Sequence, residues 1–455
     1  MKTSKLKSSS LISQSRKLLN SRDKAIVLIV IILQIIFGFL DLIGVMLIGV
    51  VGALAATGIS TGKPGNRVST FLNWVGLSDA TLQTQVTIVG LLAATLLICK
   101  TMFSVYFTRK SLFFLSRRGA KISAQMVDKL LRQSLLTVQG RSLQANLYAV
   151  TTGVTVISVG VLGTLVLLVA DSSLLIVMII GLFVVDSSMA LGTLFGFGAI
   201  GYALWLLMHK RAANLGAKSA DLSVENSESI FEVLSSYREA VVRGRRGYYA
   251  NLIGKQRFDL ANMQAEMSFM PSISKYVIEI SVVLISIILS GYQFLINDAS
   301  KAVAVLAVFL AATTRIAPAV LRIQQSLVSM RGSLATAQPT LDLLNVLGWE
   351  EATSDTWLEP DYIYKGFSPE IRISKLTFTY PEKIEPVLKK IDLQIKEGEL
   401  NAIVGESGAG KTTLVDLILG ILNPTEGRVL ISGLEPLLVV KKFPGAIAYV
   451  PQDVI

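Results

Sequence analysis

The octapeptide GESGAGKT, Gly405–Thr412, decides how this chain is read. It fills every fixed position of the pattern G-x-x-x-x-G-K-[ST] with Gly405, Gly410, Lys411 and Thr412. Glycines at those places let backbone N–H groups close on phosphate oxygens, and a helix starting near Gly410 points its positive dipole end at the same charge. Lys411 is placed to reach the terminal phosphates and Thr412 to ligate Mg²⁺. The flanks supply the required setting: Leu400, Ala402, Ile403 and Val404 read as a buried strand, and Leu414, Val415, Leu417, Ile418 and Leu419 follow at helical spacing. A plain glycine-rich turn would also satisfy the pattern, but a strand, loop and helix in that order favour nucleotide binding.

Outward from the loop, the rest of the chain is far more apolar. Of 455 residues 52% are hydrophobic and only 16% charged, too few for one soluble globule and enough for two or three domains with most of the chain in a bilayer. The net charge of +11 does not point to nucleic acid, because Lys and Arg gather between apolar stretches, where they face cytoplasm and anionic headgroups. Cys99, the single cysteine, lies in an apolar segment and has no second cysteine for an internal disulfide. His209, beside Lys210 and Arg211, reads as an interfacial residue rather than a metal ligand. The first apolar run is too long for a cleaved signal peptide and is expected to remain as an anchor.

The basic N-terminus, 1–24, is placed in the cytoplasm by its lysines and arginines. A transmembrane domain over 25–330 is then predicted to cross six times, near 25–57, 86–107, 154–182, 189–208, 277–296 and 302–321. A loop over 58–83 with a short helix around Trp74 is external, and the turn at Asp186 is an external hairpin. Polar helical stretches after the second and fourth spans read as helices continuing out of the membrane. A linker over 331–368 leads to a soluble α/β domain, 369–455, announced by alternating Ile371, Ile373, Leu376 and Phe378. The fold class is therefore a multi-domain membrane protein: an all-α six-helix domain followed by part of an α/β phosphate-loop domain. Pro318 is expected to kink the last span and Pro271 to mark a helix start.

Charges inside spans are costly and face a cavity or a counter-charge. Arg315 and Arg322, seven residues apart, project from nearly one helix face and suit an anionic substrate group such as a diphosphate. Snorkelling at the inner membrane edge is the competing reading, stronger for Arg322. Asp41 and Glu279 read as buried acids that hold helices in register through an arginine.

Six spans followed by such a domain resemble the ABC exporter family, in which a half-transporter joins one membrane domain to one nucleotide-binding domain. The soluble part carries the resemblance in LTFTYPE, VLKKIDLQIKEGELNAIVGESGAGKTTL, EGRVLISG and IAYVPQD. The resemblance implies ATP and Mg²⁺ as cofactors. Nucleotide contacts are expected at Tyr380, stacked on adenine, and at Gly405, Glu406, Ser407, Gly408, Ala409, Gly410, Lys411, Thr412 and Thr413; Mg²⁺ is expected at Thr412 and Gln452, the latter also sensing the attacking water. Ser235, Ser236, Tyr237, Arg238 and Glu239 would couple the membrane helices to the nucleotide domain. Family members continue with a signature motif, a Walker B aspartate, a catalytic glutamate and a switch histidine. The chain ends at Ile455 before any of them, so it reads as truncated and, taken alone, as unable to hydrolyse ATP.

The Trp74 segment, SSYREAVVRGR and TRIAPAVLRI are similar to the lipid-linked oligosaccharide flippase branch. The resemblance implies a homodimer in the bacterial inner membrane that moves a lipid-linked or amphipathic substrate, with the N-terminus and nucleotide domain cytoplasmic. Two alternatives stay open: a general lipid or multidrug exporter, and a membrane-anchored ATP-binding regulatory subunit without turnover. A GTPase would need an N-K-x-D sequence, which does not occur.

Overall fold

The computed structural model describes residues 20–60, 66–78, 80–185, 187–296, 299–348, 366–381 and 383–450. The basic cluster before residue 20, the Asp186 turn, the Asn297–Asp298 break and Gln452 lie outside the described residues. The chain divides into two compact units, one formed by 1–127 with 144–349 and the other by 128–143 with 350–455.

The first unit is helical. Its elements are α1 (Ser21–Ser60), α2 (Asn66–Val75), most of α3 (Leu82–Leu131), and, beyond the excursion into the second unit that carries α4 (Leu135–Gln139), α5 (Leu143–Val150), α6 (Thr152–Thr155), a π-helical stretch (Val156–Gly163), α7 (Thr164–Val185), α8 (Ser187–Ser235), α9 (Tyr237–Val242), α10 (Arg246–Ile296), α11 (Ala299–Thr336) and α12 (Gln338–Leu347). Among the described residues, five helical stretches are long and apolar enough to cross a membrane: Ser21–Gly52, Leu82–Leu131, Leu143–Val184, Ser187–Ser235 and Arg246–Ile296. The segment expected to be the sixth span lies in α11. Helices α3, α8 and α10 run for 50, 49 and 51 residues. At 1.5 Å per residue each is about 75 Å long against a hydrocarbon core of about 30 Å. More than half of each therefore lies beyond the apolar layer, as the polar stretches after the second and fourth spans require.

The core of this unit is apolar side chains from α7, α8, α10 and α11, among them Met178, Met189, Phe197, Met208, Met270, Ile285, Phe309 and Ile316. Helix α8 approaches α11 closely where Gly216 meets Gly332; a Cβ on Gly216 would lie 2.3 Å from the Gly332 carbonyl oxygen. Thr336 Oγ1 donates at this crossing, 3.1 Å from Gly216 O and 3.0 Å from Gly332 O. Small residues at a crossing let two backbones touch.

Three expectations for this unit are corrected. Pro271 does not start a helix; it lies inside α10, between buried Met270 and buried Ser274. Its carbonyl accepts from Gln325 Nε2 at 3.4 Å, and neighbouring helices make such interior prolines tolerable. Glu279 is exposed rather than buried, with Lys275 Nζ 3.9 Å away one turn earlier. The buried stripe of α10 runs through Ser274, Ile278, Ser281 and Ile285, and Glu279 falls about 100° off it. The expected linker is helical as far as Leu347, because Pro339 suits a helix start and Leu341, Leu343, Leu344 and Leu347 are buried.

The second unit holds α4, β1 (Ile371–Phe378), β2 (Leu388–Ile395), α13 (Lys411–Ile418), β3 (Glu426–Ile431) and α14 (Pro436–Lys442). The strands form an antiparallel sheet in the order β2, β1, β3. Ile371 pairs with Ile395 on one side and Ile431 on the other. The inward alternation of β1 slips between Ile373 and Leu376, where Lys375 takes a φ of 46° and the register shifts. Asp392 Oδ1 accepts the Lys375 N–H at 2.9 Å, which anchors the bulge. Ile373, Leu376, Phe378, Leu388, Leu414, Leu417, Leu422 and Val429 form the core, and Leu135 and Leu136 of α4 pack on it. The predicted buried strand Leu400–Val404 is not formed: the segment joins no ladder among the described residues, and Leu400 and Val404 are fully or nearly fully exposed. A strand exists only through the neighbours that take its hydrogen bonds.

Candidate functional site

The phosphate loop runs from Gly405 into α13, whose N-cap is Gly410. Gly408 and Gly410 have φ of 86° and 87°, a left-handed backbone that suits glycine and turns successive N–H groups toward one concavity. A side chain at Gly410 would also crowd Leu388 and Val387, at 3.0 and 3.1 Å. The Ala409 N–H bonds Glu406 O at 3.2 Å, closing the turn, and Leu414 N–H bonds Gly410 O at 2.9 Å, opening the helix. Lys411 Nζ donates to Gly405 O at 2.9 Å and Glu406 O at 2.7 Å, so its ammonium sits over the loop rather than in solvent. Residues 405–409, Ser407 among them, and Thr412 are exposed.

Thr412 and Thr413 differ sharply. The Thr412 hydroxyl is accessible, as a metal ligand must be, whereas Thr413 is buried and its Oγ1 lies 3.1 Å from Tyr380 Oη. The Tyr380 ring meets Phe378 edge to face, centroids 4.9 Å apart, which fixes it beside the loop. The loop's exposed backbone, its lysine and a free hydroxyl fit a nucleotide with a divalent cation. Asp416, one turn into α13, has its carboxyl pushed above the ordinary value by burial.

The first unit contains a charged cavity. This cavity of about 670 Å³ is lined on its charged side by Asp41, Lys100, Asp171, Arg315 and Arg322. Arg315 and Arg322 thus share one cavity, as their spacing implies. Arg322 Nη2 and Nε both donate to Asp171 Oδ1, at 2.7 and 2.8 Å. Lys100 Nζ is paired with Asp41 Oδ2, and Arg315 Nε stands 4.0 Å from Asp41 Oδ1. Asp41 therefore does hold α1 to charged residues of α3 and α11. Lys100 and Asp171 were missed as site residues by sequence reasoning; each was visible as a charge inside an otherwise apolar span.

The expected coupling residues straddle a helix break: Ser235 ends α8, Ser236 precedes α9, and Tyr237, Arg238 and Glu239 open it. The element that packs on the nucleotide-domain core is α4, capped by Ser134, whose Oγ accepts the Thr137 N–H at 3.4 Å. No motif marks it in the sequence.

Residues 388–455 match the family model described as ABC transporter. The chain is similar to the mycobactin import ATP-binding/permease protein of Mycolicibacterium smegmatis, 36% identical over 24% of the chain and 17% of that protein. It is also similar to ATP-dependent lipid A-core flippases. Identity is 30% for that of Chromohalobacter salexigens, over 45% of the chain and 34% of the relative. It is 28% for that of Thiobacillus denitrificans, over 58% of the chain and 45% of the relative. The chain spans less than half the length of these relatives. The match of residues 388–455 to the ABC transporter family model, with long apolar helices ahead of them, is consistent with an ABC half-transporter.

Proposed function

We propose that the chain is one subunit of an ATP-driven exporter that moves an anionic lipid-linked or amphipathic substrate across the inner membrane, acting as a homodimer. The observation that carries this reading is the cavity with Lys100, Arg315 and Arg322 inside a helical, apolar unit, on a chain that also bears a phosphate loop. Guanidinium groups bind phosphate through two hydrogen bonds, and cations held at membrane depth serve a substrate or a counter-charge. Positive residues flanking the spans support a cytoplasmic N-terminus and nucleotide domain. Gly405, Glu406, Ser407, Gly408, Ala409 and Gly410 would cradle phosphates, Lys411 would bind the terminal ones, and Tyr380 would face adenine. Thr412 with Gln452 would hold Mg²⁺, which neutralises phosphate charge. Arrival of nucleotide would draw Lys411 from the carbonyls of Gly405 and Glu406. Segments 128–143 and 235–239 are the proposed transmission elements.

The test is lipid binding to the protein in phosphatidylcholine nanodiscs, titrated with a diphosphate-bearing polyprenyl lipid. Binding of that lipid, lost in Arg315→Ala and Arg322→Ala, supports the reading. Binding of neutral amphiphiles alone, unchanged in both variants, would make the protein a general exporter.

A further inference from the structure

The charged lining of the cavity does not simply add up to a basic pocket. It holds three cations, Lys100, Arg315 and Arg322, and two carboxylates, Asp41 and Asp171; its remaining members are neutral, several of them hydroxyl-bearing, such as Thr101, Ser104 and Ser326. Each carboxylate is committed. Asp171 takes both donors of Arg322 on one oxygen. Asp41, only 2% exposed, takes Lys100 on Oδ2, while its buried Oδ1 accepts no hydrogen bond. Arg315 Nε at 4.0 Å is beyond hydrogen-bond reach of that oxygen, and the Arg315 side chain is 36% exposed. The surplus positive charge is therefore one per chain: Lys100 and Arg315 share Asp41, and Arg315, the more exposed and more distant of the two, is the cation a substrate can reach.

We propose that Asp41 and Asp171 are specificity-determining residues that limit the cavity to one negative substrate charge per chain. This rests on the reading above, in which the cavity holds the substrate headgroup. A headgroup with a single negative charge pairs with Arg315 and leaves both existing pairs intact. A second negative charge has no free cation; it must displace Asp41 or Asp171 from its counter-charge and leave a carboxylate unpaired in a low-dielectric interior, where isolated charges are strongly disfavoured. Two chains facing one another would accept two charges by the same count. The aspartates thus act as built-in counterions against which a substrate competes.

The experiment compares two lipids with identical short tails, phosphatidylglycerol with one negative charge and phosphatidic acid with close to two at pH 8.5. Binding to the protein in phosphatidylcholine nanodiscs is measured by titration calorimetry. Asp171→Asn is expected to raise the ratio of phosphatidic acid affinity to phosphatidylglycerol affinity about tenfold, the effect of one freed charge at a partly buried site. Asp171→Glu is expected to keep the ratio of the unmutated protein, and Asp41→Asn, an independent route to the same surplus, to raise it as Asp171→Asn does. Ratios within twofold of the unmutated protein in both asparagine variants would overturn the charge limit while leaving the cavity a lipid site. Binding of neither lipid to the unmutated protein would overturn the substrate reading as well.

Discussion

Replacing Gly216 with alanine puts the helix crossing that carries the cavity arginines under a defined strain. The added Cβ would sit 2.3 Å from Gly332 O, 3.0 Å from its carbonyl carbon and 3.1 Å from its Cα. These are backbone atoms, so no side chain can rotate away. Restoring ordinary contact near 3.5 Å requires α8 and α11 to separate by about 1 Å. Overpacking of this kind costs about 1–3 kcal/mol. Alanine recovers up to about 1 kcal/mol of helix propensity over glycine, and the balance is a destabilisation of up to about 2 kcal/mol. Thr336, which bonds the carbonyls of both glycines, would lose part of its geometry too. Thermal unfolding of the protein in nanodiscs, followed by tryptophan fluorescence, should show Tm falling by a few degrees. Gly254→Ala is the control: the same substitution in a long helix, with nothing within 4 Å of its Cβ, should leave Tm unchanged or raise it. If Gly216→Ala stabilises the protein as Gly254→Ala does, the close approach of α8 and α11 is refuted.

In the sheet, Gly427 has a φ of 81° and a Cβ there would meet Lys375 O at 2.3 Å. Gly427→Ala should weaken the β1–β3 pairing by at least about 1–2 kcal/mol, the left-handed penalty alone, read as about tenfold faster amide exchange in 371–378. Burial raises the Asp416 carboxyl, so the folded state holds that proton more tightly than the unfolded chain. Stability therefore falls as pH rises from the unfolded carboxylate value through the higher folded one, and the full penalty persists above it. Asp416→Asn should raise Tm at pH 7.5 and lose that advantage as pH falls below the carboxylate range; an advantage constant with pH would argue against it.

How far the structure was legible depended on distance along the chain. The phosphate loop was readable because its geometry is set by adjacent residues: Gly408 and Gly410 supply left-handed turns, and Lys411 returns to carbonyls five and six positions back. The long helices were readable because uninterrupted apolar runs have few other ways to satisfy their backbone. The strand expected at Leu400–Val404 was not, since apolar character does not say whether a neighbouring strand lies alongside. The bulge at Lys375, which reverses the inside and outside of β1, is fixed by Asp392 seventeen residues later.

The cavity shows the same division. That Asp41, Lys100, Asp171, Arg315 and Arg322 all lie within helical, largely apolar stretches is written in the order of residues, and the cost of charge in hydrocarbon marks each as functional or paired. Which acid meets which base is not, because the pairs join residues 59 and 151 positions apart on different helices. The sequence by itself determined a nucleotide-binding loop, an apolar helical region and the presence of buried charge. Only the tertiary structure decided that Lys100 and Arg322 are held in close ion pairs while Arg315 stands 4.0 Å from Asp41, since electrostatic pairing depends on the few ångströms between side chains that packing alone sets.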